Sequence, residues 1–180
     1  MELLREIYEK DIGIKSCEEK QLYEVRKAAR AIVINHKEQM ALLFVSKNNY
    51  HKLPGGGLEK QENIEEALGR EILEEVGVKG EIIDEVGVII EYRSQFKLLH
   101  ISYCYLVQVI NELEKPKFTE DEISNGFELK WIGIEEALDV LKSDKPHDYV
   151  GKFIQERDLT FLSSAKKLIE SDCHPRHSSK

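Results

Sequence analysis

Apolar and polar positions alternate or cluster in a way that predicts an ordered series of elements. Residues 31–34 and 40–45 are short apolar runs joined by the polar stretch 35–39, which predicts a β-hairpin. Residues 47–51 are polar, with Asn48 and Asn49 at their centre, and are followed by Leu53, Pro54, Gly55, Gly56 and Gly57. A proline and three glycines forbid regular structure there, so the chain is expected to turn sharply. Ile64, Ala67, Leu68, Ile72 and Val76 then recur at helical spacing between Asn63, a good N-cap, and Gly77, a good terminator. A helix over 63–76 follows. Residues 81–92 and 98–110 are rich in Ile, Val and Tyr and predict long strands, with an acidic loop over 116–127 and a short strand over 128–133. Residues 134–141 and 152–169 predict helices, and the polar, proline-containing segment 171–180 a frayed tail. No internal repeat interrupts this order. It implies a mixed β-sheet with helices on its faces, in a single α/β domain.

A length of 180 residues suits one domain, and 41% hydrophobic with 33% charged residues suits a globular core. No apolar run reaches the roughly 18 residues that cross a bilayer, and the opening residues mix acids with bases. Membrane insertion and secretion are therefore disfavoured. The formal charge of −8 has the wrong sign for a surface that grips nucleic acid through its phosphates. Cys17, Cys104 and Cys173 are odd in number and far apart, so neither a disulfide framework nor a zinc ribbon is expected, and a cytoplasmic location is the simplest.

Chemistry concentrates in the predicted helix and its approach. Between Gly56 and Val78 lie Glu59, Glu62, Glu65, Glu66, Glu71, Glu74 and Glu75, against only Lys60 and Arg70 as basic residues. At about 100° per residue, Glu71, Glu74 and Glu75 share an arc with Ile64, Ala67 and Leu68. Carboxylates crowded at the edge of an apolar face repel one another unless a cation lies between them, and oxygen-only anionic ligands suit Mg²⁺ or Mn²⁺. Arg70 has Glu66 and Glu74 four residues to either side and is expected to pair with both.

Gly56, Glu62, Arg70-Glu71-Ile72, Glu74-Glu75 and Gly77-Val78, with Pro54-Gly55 leading in, stand at every place of the Nudix box, and the segment resembles that family's motif. The order of elements over most of 27–168 also resembles the Nudix α/β/α sandwich. On this resemblance residues 27–170 form the Nudix hydrolase domain; 1–26, which the resemblance does not explain, are an N-terminal extension either joined to the fold or outside it, and 171–180 a flexible tail. The resemblance implies that Glu71, Glu74, Glu75 and the Gly55 carbonyl bind the divalent metal. Glu74, Glu75 and Arg70 are then catalytic, with Arg70 orienting the acidic cluster and, with Glu62, shaping the loop-helix-loop.

The implied reaction is attack of a metal-activated water on phosphorus in a nucleoside diphosphate linked to a moiety X. The partner is a nucleotide-like small molecule, and a homodimer is compatible with the sequence. The alternative is a Nudix fold that senses a nucleotide or holds a protein without turnover. A further acid is expected in a later loop, where Glu120, Asp121, Glu122 and Glu128 are candidates and Glu122 is favoured. Tyr50 and His51 precede the glycine loop and are candidates to touch a base or sugar, against plain surface. Cys173, His174 and His177 read as a chance grouping. The flanking residues match none of the Nudix substrate signatures compared with them, which leaves X open, an oxidised nucleotide or a nucleoside triphosphate included.

Overall fold

The computed structural model describes residues 1–15, 22–112 and 115–172. Seven strands form one mixed sheet: β1 (Leu3–Ile7), β2 (Glu24–Ile34), β3 (Gln39–Val45), β4 (Tyr50–Lys52), β5 (Val78–Arg93), β6 (Leu98–Glu112) and β7 (Phe127–Gly133). Their order is β1-β5-β6-β2-β3-β4, with β7 on the other side of β3. Helices α1 (Ile64–Val76), α2 (Glu120–Ser124), α3 (Ile134–Ser143) and α4 (Tyr149–Asp172) complete the chain. The strand β1 runs parallel to β5, with Leu3 opposite Val88 and Ile7 opposite Glu91. Residues 173–180, and with them Cys173, His174 and His177, lie outside the described residues, as does Cys17.

Alternation along β2 divides the interior in two. Ala29, Ala31 and Val33 face α1 and pack with Ala67, Leu68, Ile72 and Val76. Ile32 points the other way, into a cluster with Met40, Leu42, Leu138, Leu141, Phe153 and Phe161 beneath α3 and α4. The result is the expected α/β/α sandwich.

Three expectations need correction. The hairpin between β2 and β3 is held at a single register pair, Ile34 opposite Met40. The strand β2 pairs in parallel with β6 along one edge from Glu24 to Ile34, and on its other edge residues 54–58, not β3, take most of the backbone groups. Residues 50–51, read as polar loop, belong to β4 and pair with β3, His51 lying opposite Phe44. Their polarity is misleading because their polar groups find partners inside the protein. The acidic segment 116–127 contains α2, started by Thr119, whose hydroxyl accepts from the Glu122 N–H while the Glu122 carboxylate accepts from the Thr119 N–H at 2.8 Å.

Candidate active site

The glycine loop is stitched to the sheet. Ala29 N–H donates to the Gly56 carbonyl and Ala31 N–H to the Pro54 carbonyl, each at 3.0 Å. Pro54 to Leu58 thus serve as an irregular edge partner for the length of β2 that β3 does not reach. Gly55 adopts φ +131°, and a Cβ there would strike the Ala29 carbonyl and the Arg30 Cα. At Gly56 a Cβ would strike the Glu71 carboxyl group. These two glycines let the loop lie between the sheet and the acidic face of α1.

Helix α1 is set by a capping box: Glu66 N–H donates to the Asn63 side chain, and Asn63 N–H to the Glu66 carboxylate, both at 2.9 Å. Glu66 is therefore occupied at the helix start and does not pair with Arg70 as expected. Arg70 instead joins Glu62 (2.9 Å), Glu71 (2.8 Å), Glu74 (3.1 Å) and the Gly57 carbonyl (3.1 Å). The Arg70 hydrogen bonds hold the Glu62 carboxyl below its ordinary value, and the same bond raises the guanidinium. Arg70 thus ties both ends of the loop-helix unit to the acidic cluster.

Glu75 is 1% exposed. Its Oε1 accepts from Lys52 Nζ at 2.7 Å and its Oε2 from Gly55 N–H at 2.6 Å. Burial pushes its pKa up, opposed by Lys52 and by the Gly55 N–H. Lys52 Nζ also lies 3.4 Å from the Gly55 carbonyl, to which Arg30 Nη1 donates as well. The expected crowding of bare carboxylates is thus relieved by basic side chains, Arg70 for Glu71 and Glu74 and Lys52 for Glu75. Glu71 is buried, whereas the Glu74 side chain is 44% exposed. Among the described residues no three acidic, His or Cys side chains stand together as a finished metal cage. The donors nonetheless fit a hard divalent cation: all are oxygens, and the point between Gly55 O and Glu75 Oε1 already holds a positive group, the Lys52 ammonium.

Behind the loop, toward α4, lies a second set of charges that the sequence did not announce. Asp158 Oδ2 accepts from Leu53 N–H at 2.9 Å, while its Oδ1 accepts from Arg157 Nε at 2.7 Å. Glu91 accepts from Arg93 Nη2 at 2.8 Å, pairs with the His100 ring at 2.7 Å and lies 3.5 Å from Arg157 Nη1. Arg157, Asp158 and Glu91 are fully buried, and Arg30 and Arg93 nearly so. Burial opposes the Glu91 charge, but Arg157, Arg93 and the His100 hydrogen bond hold its carboxyl well below the usual range. Burial and then Arg157 bring Arg30 down to about 10. A lone charge amid Ala28, Ala29, Ala31, Ile32 and Val33 was the one sequence signal that could have marked Arg30 as a buried cation.

Burial, opposed by Glu91, lowers His100 from its ordinary 6.5 to about 4. The unfolded chain therefore takes up a proton below about pH 6.5 that the folded protein refuses until about pH 4, so stability falls through that window as pH drops. Urea denaturation should show the wild type losing about 2–3 kcal/mol more than His100→Gln between those pH values. Parallel stability profiles for the two proteins would remove His100 as the cause.

The other expected residues have their polar groups engaged elsewhere or are buried. His51 is buried, stacked on Phe44, with its N–H and Nδ1 both bonded to Asp144 (2.6 and 3.0 Å). Tyr50 is 7% exposed and packs with Val45 and Ile154; burial and then Asp148 raise its pKa to about 12. Neither is the exposed loop contact that the sequence suggested, because both faces of β4 are covered, Tyr50 by Val45 and Ile154 and His51 by Phe44 and Asp144. Glu122 has its carboxylate engaged in the cap of α2. That segment still touches the site region, since Lys117 N–H donates to the Glu74 carbonyl at 2.6 Å.

A family model of the NUDIX domain matches residues 24–153. The chain belongs to the Nudix family. A mouse relative, diphosphoinositol polyphosphate phosphohydrolase 3-alpha, is 32% identical over 124 residues, covering 67% of this chain and 72% of the relative. Human diphosphoinositol polyphosphate phosphohydrolase 3-beta matches with the same identity and coverage. Among solved structures, a MutT protein from Methanosarcina mazei Go1 superimposes with TM-score 0.56 at 19% identity, over 82% of this chain and 99% of that one. A UDP-X diphosphatase does so with TM-score 0.56 at 16% identity, over 83% and 66%. At such identities the structures speak for the fold, while the family match and the relatives make this chain a Nudix hydrolase.

Proposed function

We propose that this Nudix hydrolase cleaves a diphosphate linkage in a nucleoside diphosphate joined to a second moiety, with Mg²⁺ or Mn²⁺ held by the Gly55 carbonyl, Glu71, Glu74 and Glu75. The observation that carries the reading is the closure of the glycine loop on two buried carboxylates, Glu71 against Gly56 and Glu75 against Gly55 N–H. Held by these residues, a divalent cation would supply charge neutralisation for the diphosphate and polarisation of a phosphoryl oxygen and of the attacking water. Arg70 fixes Glu71 and Glu74 relative to Glu62 and Gly57, so the carboxylates are oriented before substrate arrives. Asp158 holds Leu53, and through it the start of the loop whose carbonyl is a ligand. Arg30, Arg93 and Arg157 outnumber Glu91 and Asp158 behind the loop, which gives a protein of net charge −8 a locally positive interior beside the site.

The relatives' names favour a second substrate reading, a diphosphate carried on a phosphorylated inositol ring. One assay decides between them: phosphate or nucleotide release, with Mg²⁺ and with EDTA, across nucleoside diphosphate derivatives and a diphosphoinositol polyphosphate. Metal-dependent turnover of a nucleoside diphosphate derivative, with water oxygen from ¹⁸O-labelled solvent found on a phosphate product, is the expected result. Activity undiminished by EDTA would overturn the metal reading. Preference for the inositol substrate would replace the nucleotide. Melting curves give an independent measure: Mg²⁺ at 100 times its dissociation constant should add about 2.7 kcal/mol of stability, and curves superimposable with those in EDTA would count against the site.

A further inference from the structure

We propose that Lys52 is an internal competitor for the divalent cation: its ammonium and the metal draw on the same two oxygens, so that binding the metal requires Lys52 to leave them. The inference rests on the metal reading above and concerns a residue that the box does not include. Lys52 Nζ sits 2.7 Å from Glu75 Oε1 and 3.4 Å from the Gly55 carbonyl oxygen, two of the four groups assigned to the metal. The Glu75 side chain is 2% exposed and that of Lys52 11%, so this is an ion pair made away from water, unlike the exposed pairs that cost little to break. The pair is also braced on its other sides. Glu75 Oε2 takes the Gly55 N–H, Arg30 Nη1 donates to the Gly55 carbonyl, and the Lys52 ammonium lies 5.0 Å from the centre of the Phe127 ring.

Geometry makes joint occupancy unfavourable. A magnesium ion lies about 2.1 Å from each ligand oxygen. An ammonium held at 2.7 Å on the same Glu75 oxygen would then be within about 5 Å of a double positive charge, in a region with little water to screen it. Arg30 has no comparable freedom, because β2 fixes its backbone between β6 and the glycine loop and its side chain is buried. Lys52 is on the last residue of the three-residue strand β4, at the edge of the sheet, and its four-carbon stem can swing. It is therefore the cation that yields. Lys52 keeps Glu75 neutralised until a divalent ion takes over that role, and the affinity of the site for metal is set lower than its carboxylates alone would make it.

The test compares wild type with Lys52→Met and Lys52→Arg, using Mn²⁺ as the probe. Calorimetry should show Lys52→Met binding Mn²⁺ at least tenfold more tightly than wild type, with Lys52→Arg close to wild type. In EDTA, Lys52→Met should melt below wild type, because Glu75 is left buried without its counter-charge. A wild-type measurement covers the case in which the variant does not fold. Reductive methylation read by peptide mass spectrometry should find Lys52 protected in EDTA and at least fivefold more reactive with Mn²⁺, while Lys142, whose side chain is 62% exposed, stays unchanged. Metal binding that is weaker in Lys52→Met, or that leaves Lys52 reactivity unaltered, would overturn the competition and spare the metal site. Failure of both wild type and Lys52→Met to bind Mn²⁺ would overturn the metal reading, and this inference with it.

Discussion

Replacing Glu75 by Gln is expected to lower kcat by roughly 10²–10³-fold, equivalent to a few kcal/mol of lost transition-state stabilisation. The substitution keeps the side chain's shape but removes its charge, and the single amide oxygen can accept from Gly55 N–H or from Lys52 Nζ but not from both. Folding should survive at a reduced melting temperature: the amide escapes the burial that pushes the carboxyl group upward, while Lys52 loses its counter-charge and has to swing from the edge strand toward water. Glu59→Gln and Glu65→Gln serve as controls: both side chains are exposed on the outer side of the unit and should change the rate little. Steady-state kinetics with saturating Mg²⁺ distinguish the cases. Equal losses at all three positions would mean that overall acidity, and not a site, supports turnover.

The second large effect separates two adjacent glycines. Gly55→Ala puts a methyl group against the backbone of Ala29 and Arg30 at φ +131°, where neither the strand nor the dihedral can yield cheaply. A loss of about 2–4 kcal/mol is expected, lowering the melting temperature by roughly 5–15 °C. Gly56→Ala puts its methyl group against the Glu71 carboxyl, the far end of a flexible side chain, which can move aside by giving up its bond to Arg70. Its stability cost should stay below about 1.5 kcal/mol, yet activity should fall by at least roughly 10²-fold, because Glu71 leaves its position. Melting curves and rates measured on the two variants together test this contrast. A Gly56→Ala protein with wild-type turnover, or a Gly55→Ala protein with wild-type stability, would refute the corresponding half.

Much of this architecture was legible because its signals are local. Helix α1 begins at Asn63 and ends before Gly77 as its capping and terminating residues require, and the buried arc holding Glu71 and Glu75 follows from helical spacing alone. Strands β5 and β6 were visible from their apolar length, though each runs two to four residues further than expected. What escaped depends on partners distant in sequence. Asp144 turns His51 inward from 93 residues away, and Asp158 reaches Leu53 from 105 residues away. Nothing in the local pattern of either pair announces the other. Arg157 and Asp158 look like the polar side of a helix, yet both are fully buried, since each carries a counter-charge into the interior with it. The first strand was missed for a similar reason: five residues, two of them the charged Arg5 and Glu6, are too short to read, and their partner β5 begins at Val78.

The bond from Leu53 N–H to Asp158 also fixes when in the life of the chain the site comes into being. The contacts of Lys52 with Glu75 and of Arg30 with Gly55 close loops of 23 and 25 residues, short enough to form early. The latch on Leu53 waits for α4, the last element of the described chain. A nascent molecule can therefore hold its glutamates on a finished helix with the loop against them and Leu53 still untied. The recovery of turnover during refolding is therefore expected to follow the docking of α4, later than the formation of the helix that bears the carboxylates.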